Sequence, residues 1–364
     1  MFIIFERMKL HKKHVILAIL LPIQVIIIQY LSHKPSFIEY YYSNGIYPYI
    51  SKFLRFVLGW IPFSFGDVLG LFLIGMFCYQ IYLLFKHRFK TIIAKTVQLI
   101  AFLSILYFCF YAFWGLNYFR APLSESLNLK QSKYTTEQLE NTTRKIISRL
   151  NRIHYTITNN DTLKVVVPYS TREIYKKTKP AYDVLSTIYP QLNYVNMSIK
   201  NSLVSTFQSY NGTSGYLNPI TGEAQVNRLI PKAGFPATAC HEIAHQIGWS
   251  AENEANFIGF LASIHSKDVY FNYSGYRMAF RYCMGEIRKR DTALYKMLWK
   301  NTNKGIGKEL KDNYLFWKQY ENPIEPYIKK GYNSYLKANN QSNGIKSYSY
   351  VVDLLITYFE KEQS

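Results

Sequence analysis

The chain has 364 residues, 49% of them apolar, 17% aromatic and 18% charged, with 43 Lys+Arg against 23 Asp+Glu for a formal net charge of +20. So large an apolar share excludes a disordered polypeptide, and only 4 cysteines exclude a disulfide scaffold. Val15–Leu31, Val68–Phe85 and Thr96–Phe119 hold no charged residue, which argues against a wholly soluble chain; both parts are basic, with 11 Lys+Arg against 3 Asp+Glu before Asn117 and 32 against 20 from there on.

In chain order, these runs of 17, 18 and 24 residues compare with the roughly 20 apolar residues an α-helix needs to cross a bilayer. They predict transmembrane helices over about 15–31, 68–85 and 96–117. Arg7, Lys9, Lys12 and Lys13 precede the first like the n-region of a signal peptide, but no small-x-small cleavage site follows Tyr30-Leu31-Ser32, so it reads as an uncleaved anchor. Lys86, Arg88, Lys90 and Lys95 fill the connection between the second and third runs. Positive charge marks the cytoplasmic side, which puts the amino terminus and this connection inside and everything after Arg120 outside. The expected organisation is a membrane domain over 1–119 and an extracytoplasmic domain over 120–364. Between the first two spans, Phe37 to Phe63 is rich in Tyr, Phe and Trp60, with Lys52 and Arg55 spaced as the polar face of an interfacial helix that anchors the loop. Cys78 and Cys109 read as apolar filling within spans.

Past Phe119 the pattern alternates. Thr135-Thr136-Glu137-Gln138 predicts a capping box, followed by an apolar stripe through Leu139, Ile146, Ile147, Leu150 and Ile153. Leu163–Val167 reads as a buried strand and Thr171 to Tyr189 as a helix that Pro180 should kink or split. Ser198–Gln208 and Gly215–Asn227 read as extended segments with one or two hairpins turning at Asn211-Gly212 and Asn218–Gly222. From Pro236 on, helices dominate, with breaks near Gly248, Tyr273-Ser274-Gly275, Asn303–Gly307 and Asn339–Gly344. The expected fold class is α+β: three amino-terminal transmembrane helices, then a mainly helical domain with a small sheet.

The sharpest feature is His241-Glu242-Ile243-Ala244-His245. Helical residues four apart share a face, so both imidazoles can reach one Zn²⁺, with Glu242 placed as general base for the water that the ion activates. Gly248 can end that helix in a left-handed conformation and Ser250 can cap a second helix, whose first turn would carry Glu252 back as the third ligand, with Asn256 on the same face behind it. Glu254, His265 and Asp268 remain alternatives for that ligand. Position 251 is Ala, where a longer zinc motif with a third histidine would need His. Gly215–Asn218 or Glu223–Asn227 is the expected edge strand for an extended substrate, and Tyr273, Tyr276 or Arg277 the expected donor to the oxyanion. Cys240 reads as buried, and a Cys240–Cys283 disulfide is permitted outside the cytoplasm.

His241-Glu242-x-x-His245 followed by Glu252-x-x-x-Asn256 resembles the gluzincin group of zinc metallopeptidases, whose third ligand is a helical Glu with Asp or Asn often four residues later. Tyr42–Pro48, Pro62–Asp67, Trp114–Arg120, His241–Phe257 and Gly344–Tyr348 further resemble a family of uncharacterised bacterial membrane proteins known from Bacteroidetes, carried as a domain of unknown function and placed with the zincin-like peptidases. The resemblance implies a zincin-like fold, zinc and an inner-membrane protein. The resulting expectation is a membrane-anchored zinc metallopeptidase acting on peptides or proteins. One rival is a catalytically inactive zincin-like module that binds a protein or envelope partner. A second is a basic protein that binds lipid or acidic polymers. The bilayer is an expected partner, and nucleic acid is not.

Overall fold

A computed structural model describes residues 11–86, 88–129, 134–341, 344 and 350–362. Arg7, Lys9 and the Ile345–Tyr348 stretch lie outside the described residues. Among the described residues three helices are long and apolar enough to cross a membrane: α1 (Lys12–Ser32), α3 (Phe65–Lys86) and α4 (Ile92–Phe113). Between the first two lies α2 (Tyr47–Leu58), reached through a π-helical segment, Ile38–Ile46. The third span sits about four residues earlier than its charge-free run implies. Lys95 is accommodated inside α4 by a 2.6 Å bond from its Nζ to Gln80 Oε1, and Trp114 is released from the span into the fold.

Among the described residues, the remaining α-helices of six or more residues are α5 (Thr136–Thr158), α6 (Thr171–Ile188), α7 (Ser205–Tyr210), α8 (Phe235–Gln246), α9 (Glu252–Ile264), α10 (Val269–Arg290), α11 (Thr292–Lys300), α12 (Lys304–Lys318), α13 (Glu325–Ala338) and α14 (Val351–Lys361). Three short strands, β1 (Ile199–Asn201), β2 (Gly215–Leu217) and β3 (Ala224–Val226), form one sheet in the order β1-β3-β2. β1 runs parallel to β3 and β2 antiparallel to it, with Tyr216 opposite Gln225. The fold is thus α+β, as expected. The capping box at Thr135 forms, with Thr135 and Gln138 each bonding the other's backbone N–H.

Four expectations are corrected. The Leu163–Val167 run is extended but unpaired; the Leu163 carbonyl accepts from His154 Nε2 at 2.8 Å, a side chain standing where a neighbouring strand would be. Residues 205–210 are helical, so this segment forms a single hairpin, Gly215–Val226, turned by Asn218 Oδ1 accepting from the Ile220 and Thr221 N–H groups. Pro180 lies within an unbroken α6, whose buried face of Ile174, Tyr175, Ala181, Tyr182 and Leu185 outweighs the lost backbone bond. Tyr273-Ser274-Gly275 is no break: a Cβ at Gly275 would lie 2.8 Å from Ser263 Cβ, so glycine there permits close approach of α9 and α10.

Most buried side chains form one core among α5, α6 and α8 to α10. A second, aromatic cluster of Ile38, Tyr42, Tyr47, Tyr111, Trp114, Tyr118, Phe119 and Leu217 joins the loop after α1, the end of α4 and the edge strand β2. Cys240 and Cys283 are buried free thiols, so the permitted disulfide is not formed.

Candidate metal site

Helix α8 ends in a Schellman arrangement: the Trp249 N–H bonds the Ala244 carbonyl, the Gly248 N–H bonds the His245 carbonyl, and Gly248 has φ +95°. The chain then re-enters helix at Glu252. Ala251 is the residue before the first turn, and Ser250 does not cap it: its hydroxyl is buried without a partner. This corner brings Glu252 back onto α8. Glu252 Oε2 lies 3.3 Å from His241 Nε2 and 3.6 Å from His245 Nε2, and all three groups have a ligand atom within 4.8 Å of the others.

The donor set fits a divalent ion. Bonds of about 2.0–2.1 Å place neighbouring ligand atoms of a tetrahedral ion roughly 3.3 Å apart, close to both spacings found here. His245 is oriented for the task, because its Nδ1 bonds the Trp249 carbonyl at 2.7 Å and leaves Nε2 facing Glu252. The far oxygen of Glu252, Oε1, accepts from the Tyr332 hydroxyl of α13 at 2.8 Å. Burial opposes charge at His245, but the bond to Glu252 outweighs it and lifts the imidazole to about 9. Burial likewise raises the Glu252 carboxyl, and the two histidines more than reverse this, holding it well below its usual range.

Glu242 points beside the cluster with its Oε2 buried and unpaired. Burial pushes its carboxyl up to about 7, against the pull of His241 and His245. Asn256 lines the same cavity, with its Nδ2 buried and unpaired.

The three alternative ligands are elsewhere. Glu254 Oε1 accepts the Leu123 N–H at 2.7 Å, His265 Nε2 faces the Tyr358 hydroxyl at 3.4 Å, and Asp268 caps α10 and pairs with Lys177 at 2.9 Å. The oxyanion expectation is corrected. Tyr273 and Arg277 bond Glu309, and the Tyr276 hydroxyl accepts from Arg149, so none of the three lines the cavity. The α10 face that does so carries Met278, Arg281 and Tyr282.

The cavity encloses about 790 Å³ and is lined further by Trp114, Tyr118, β2, Tyr332 and Tyr335. β2 is an edge strand and β3 is central, so only the first of the two expected strands is open to an added chain. Groups from the membrane part hold the helix that carries His241 and His245. Trp114 Nε1 donates to the His245 carbonyl at 2.9 Å, and the Tyr47 and Ser51 hydroxyls donate to the Gln246 carbonyl at 2.8 and 2.7 Å. Arg55 is buried against the Tyr194 ring rather than turned to lipid heads, so the Tyr47, Ser51 and Arg55 side of α2 docks on the rest of the fold, while Lys52, Phe53 and Phe56 are exposed.

Residues 42–356 match the family described as Protein of unknown function (DUF3810). The chain belongs to that family. No curated protein and no solved structure matches it. The match runs from the π-helical segment before α2 to α14, and so takes in α2, two of the three apolar helices and His241, His245 and Glu252. The DUF3810 description assigns no chemistry, and the site must be read from its own atoms.

Proposed function

We propose that the protein is a membrane-anchored, gluzincin-like zinc metallopeptidase with its catalytic domain outside the cytoplasm. The observation that carries this reading is the convergence of His241, His245 and Glu252 within one cavity, beside a buried carboxylate with a free oxygen. His241, His245 and Glu252 would hold the ion. A zinc ion there supplies Lewis acidity, polarising a carbonyl and acidifying water. Glu242, a buried carboxylate with a free oxygen beside the cluster, would take a proton from water and return it to the leaving amine. Asn256 offers its unpaired amide to the bound chain. An extended peptide adds to the open edge of β2, where Gly215, Tyr216 and Leu217 line the cavity.

The membrane enters the same reading. Trp114 follows directly on α4 and lines the cavity, and Asp67, in the first turn of α3, accepts from Ser202 Oγ, the Leu203 N–H and the cavity-lining Tyr216 hydroxyl. Both helices therefore meet the domain at their cavity-side ends, which favours substrates at the membrane surface. With the basic connection between α3 and α4 on the cytoplasmic side, that surface is the outer one.

A mixed peptide library incubated with the purified chain tests the proposal. Cleavage should disappear with chelator, return with zinc, and fall by about a hundredfold or more in Glu242→Gln, which should keep its metal. Undiminished cleavage by Glu242→Gln would refute the assignment.

A further inference from the structure

Arg281 is the one cavity-lining cation whose charge has no counter-ion among the described residues. It is exposed to the water of the cavity, and the protein surrounding that cavity, with the repulsion of Arg277 adding to it, lowers its guanidinium pKa. The carboxylate nearest in effect, Glu309, is already engaged. Its Oε2 accepts from Arg277 Nε at 2.6 Å and its Oε1 from Arg277 Nη2 at 2.8 Å, while the Tyr273 hydroxyl also reaches Oε2 at 3.4 Å. Lys329, the other cation on the cavity wall, pairs with Glu325 of its own helix. Glu242 and Glu252 belong to the metal cluster.

Met278, Arg281 and Tyr282 are spaced three and four apart, and so form one face of α10 that closes the cavity beside the metal ligands. That face offers a planar, forked donor flanked by a thioether and an aromatic ring. Such a fork matches a carboxylate in two parallel bonds. A neutral peptide would leave it without an acceptor, whereas a peptide bringing a carboxylate would satisfy it.

We propose that Arg281 selects peptides that present a carboxylate to the cavity, either the free carboxyl terminus or an acidic side chain. The proposal rests on the peptide-binding reading above, but its test does not depend on turnover. Amino-terminally acylated hexapeptides of Ala, Gly and Leu bearing a neutral, carboxylate-free BODIPY label are compared as free acids, as carboxyl-terminal amides, and as amides carrying one Glu. Their binding to the full chain in detergent is read by fluorescence anisotropy, once with zinc and once with chelator. The free acid or the Glu-containing amide should bind at least about tenfold more tightly than the neutral amide in both conditions, and whichever does so names the source of the carboxylate. Arg281→Gln should erase the preference and Arg281→Lys should keep part of it, with circular dichroism melts showing both variants folded. Equal binding of acid and neutral amide, a preference that survives Arg281→Gln, or one that vanishes with chelator would overturn the proposal. If the preference holds while no peptide is cleaved, the carboxylate site stands and the peptidase reading falls.

Discussion

At Gly215 the edge strand passes closest to Glu242: an added Cβ would lie 2.5 Å from Glu242 Oε1 and 2.8 Å from the Gln225 carbonyl oxygen. The backbone oxygen cannot yield, so the carboxylate must move. Gly215→Ala should therefore lower peptide turnover by about tenfold or more while the metal stays bound, checked by activity and metal content on one preparation. His154 carries a second prediction. It is fully buried, with Nε2–H donating to the Leu163 carbonyl at 2.8 Å and Nδ1 accepting from Asn303 Nδ2 at 3.1 Å, so the neutral ring is satisfied and burial lowers its pKa. The unfolded chain then binds the extra proton first, and stability declines as pH falls below about 6.5. Thermal melts from pH 7.5 to 5 should show this decline, and His154→Gln should flatten it. An unchanged slope would remove His154 from the account.

At the scale of elements, the corner between α8 and α9 is the part of the site most legible in the sequence. A four-residue spacing fixes two histidines on one helical face, and a glycine three residues later fixes where that helix turns. Gly248→Ala should then cost about 1–2 kcal/mol, from the φ of +95° and from a Cβ 2.9 Å from the Tyr47 ring, and should weaken metal binding; melts and metal titration check both. The α10 side of the cavity was not legible. Reading Tyr273-Ser274-Gly275 as a break gives no helical phase to carry forward, and phase alone separates the Tyr273 and Arg277 side from Met278, Arg281 and Tyr282. Tyr332 was equally hidden. It is one tyrosine among 33, and only the docking of α13 over the cavity brings its hydroxyl to Glu252.

For the whole molecule, charge-free runs marked the three long apolar helices, because hydrophobicity over about 20 residues needs no tertiary context. What composition could not convey is that the membrane part builds the site. Trp114 looked like the tail of a span, and Arg55 like a residue on a lipid-facing helix, yet Trp114 bonds α8, which carries His241 and His245, and Arg55 docks on the domain beside it. The proposed topology predicts that Asn160→Cys, in the exposed turn after α5, reacts with a membrane-impermeant maleimide in intact cells, whereas Lys90→Cys reacts only after permeabilisation; the reverse pattern would invert the orientation. Everything proposed for catalysis depends on an ion between α8 and α9. X-ray absorption on the purified, zinc-loaded chain tests this most directly. The account predicts one zinc per chain, with two imidazole nitrogens at about 2.0–2.1 Å and carboxylate oxygen completing the shell, lost in His241→Ala and Glu252→Ala. A chain that retains no stoichiometric metal, or one whose zinc survives both substitutions, would contradict it.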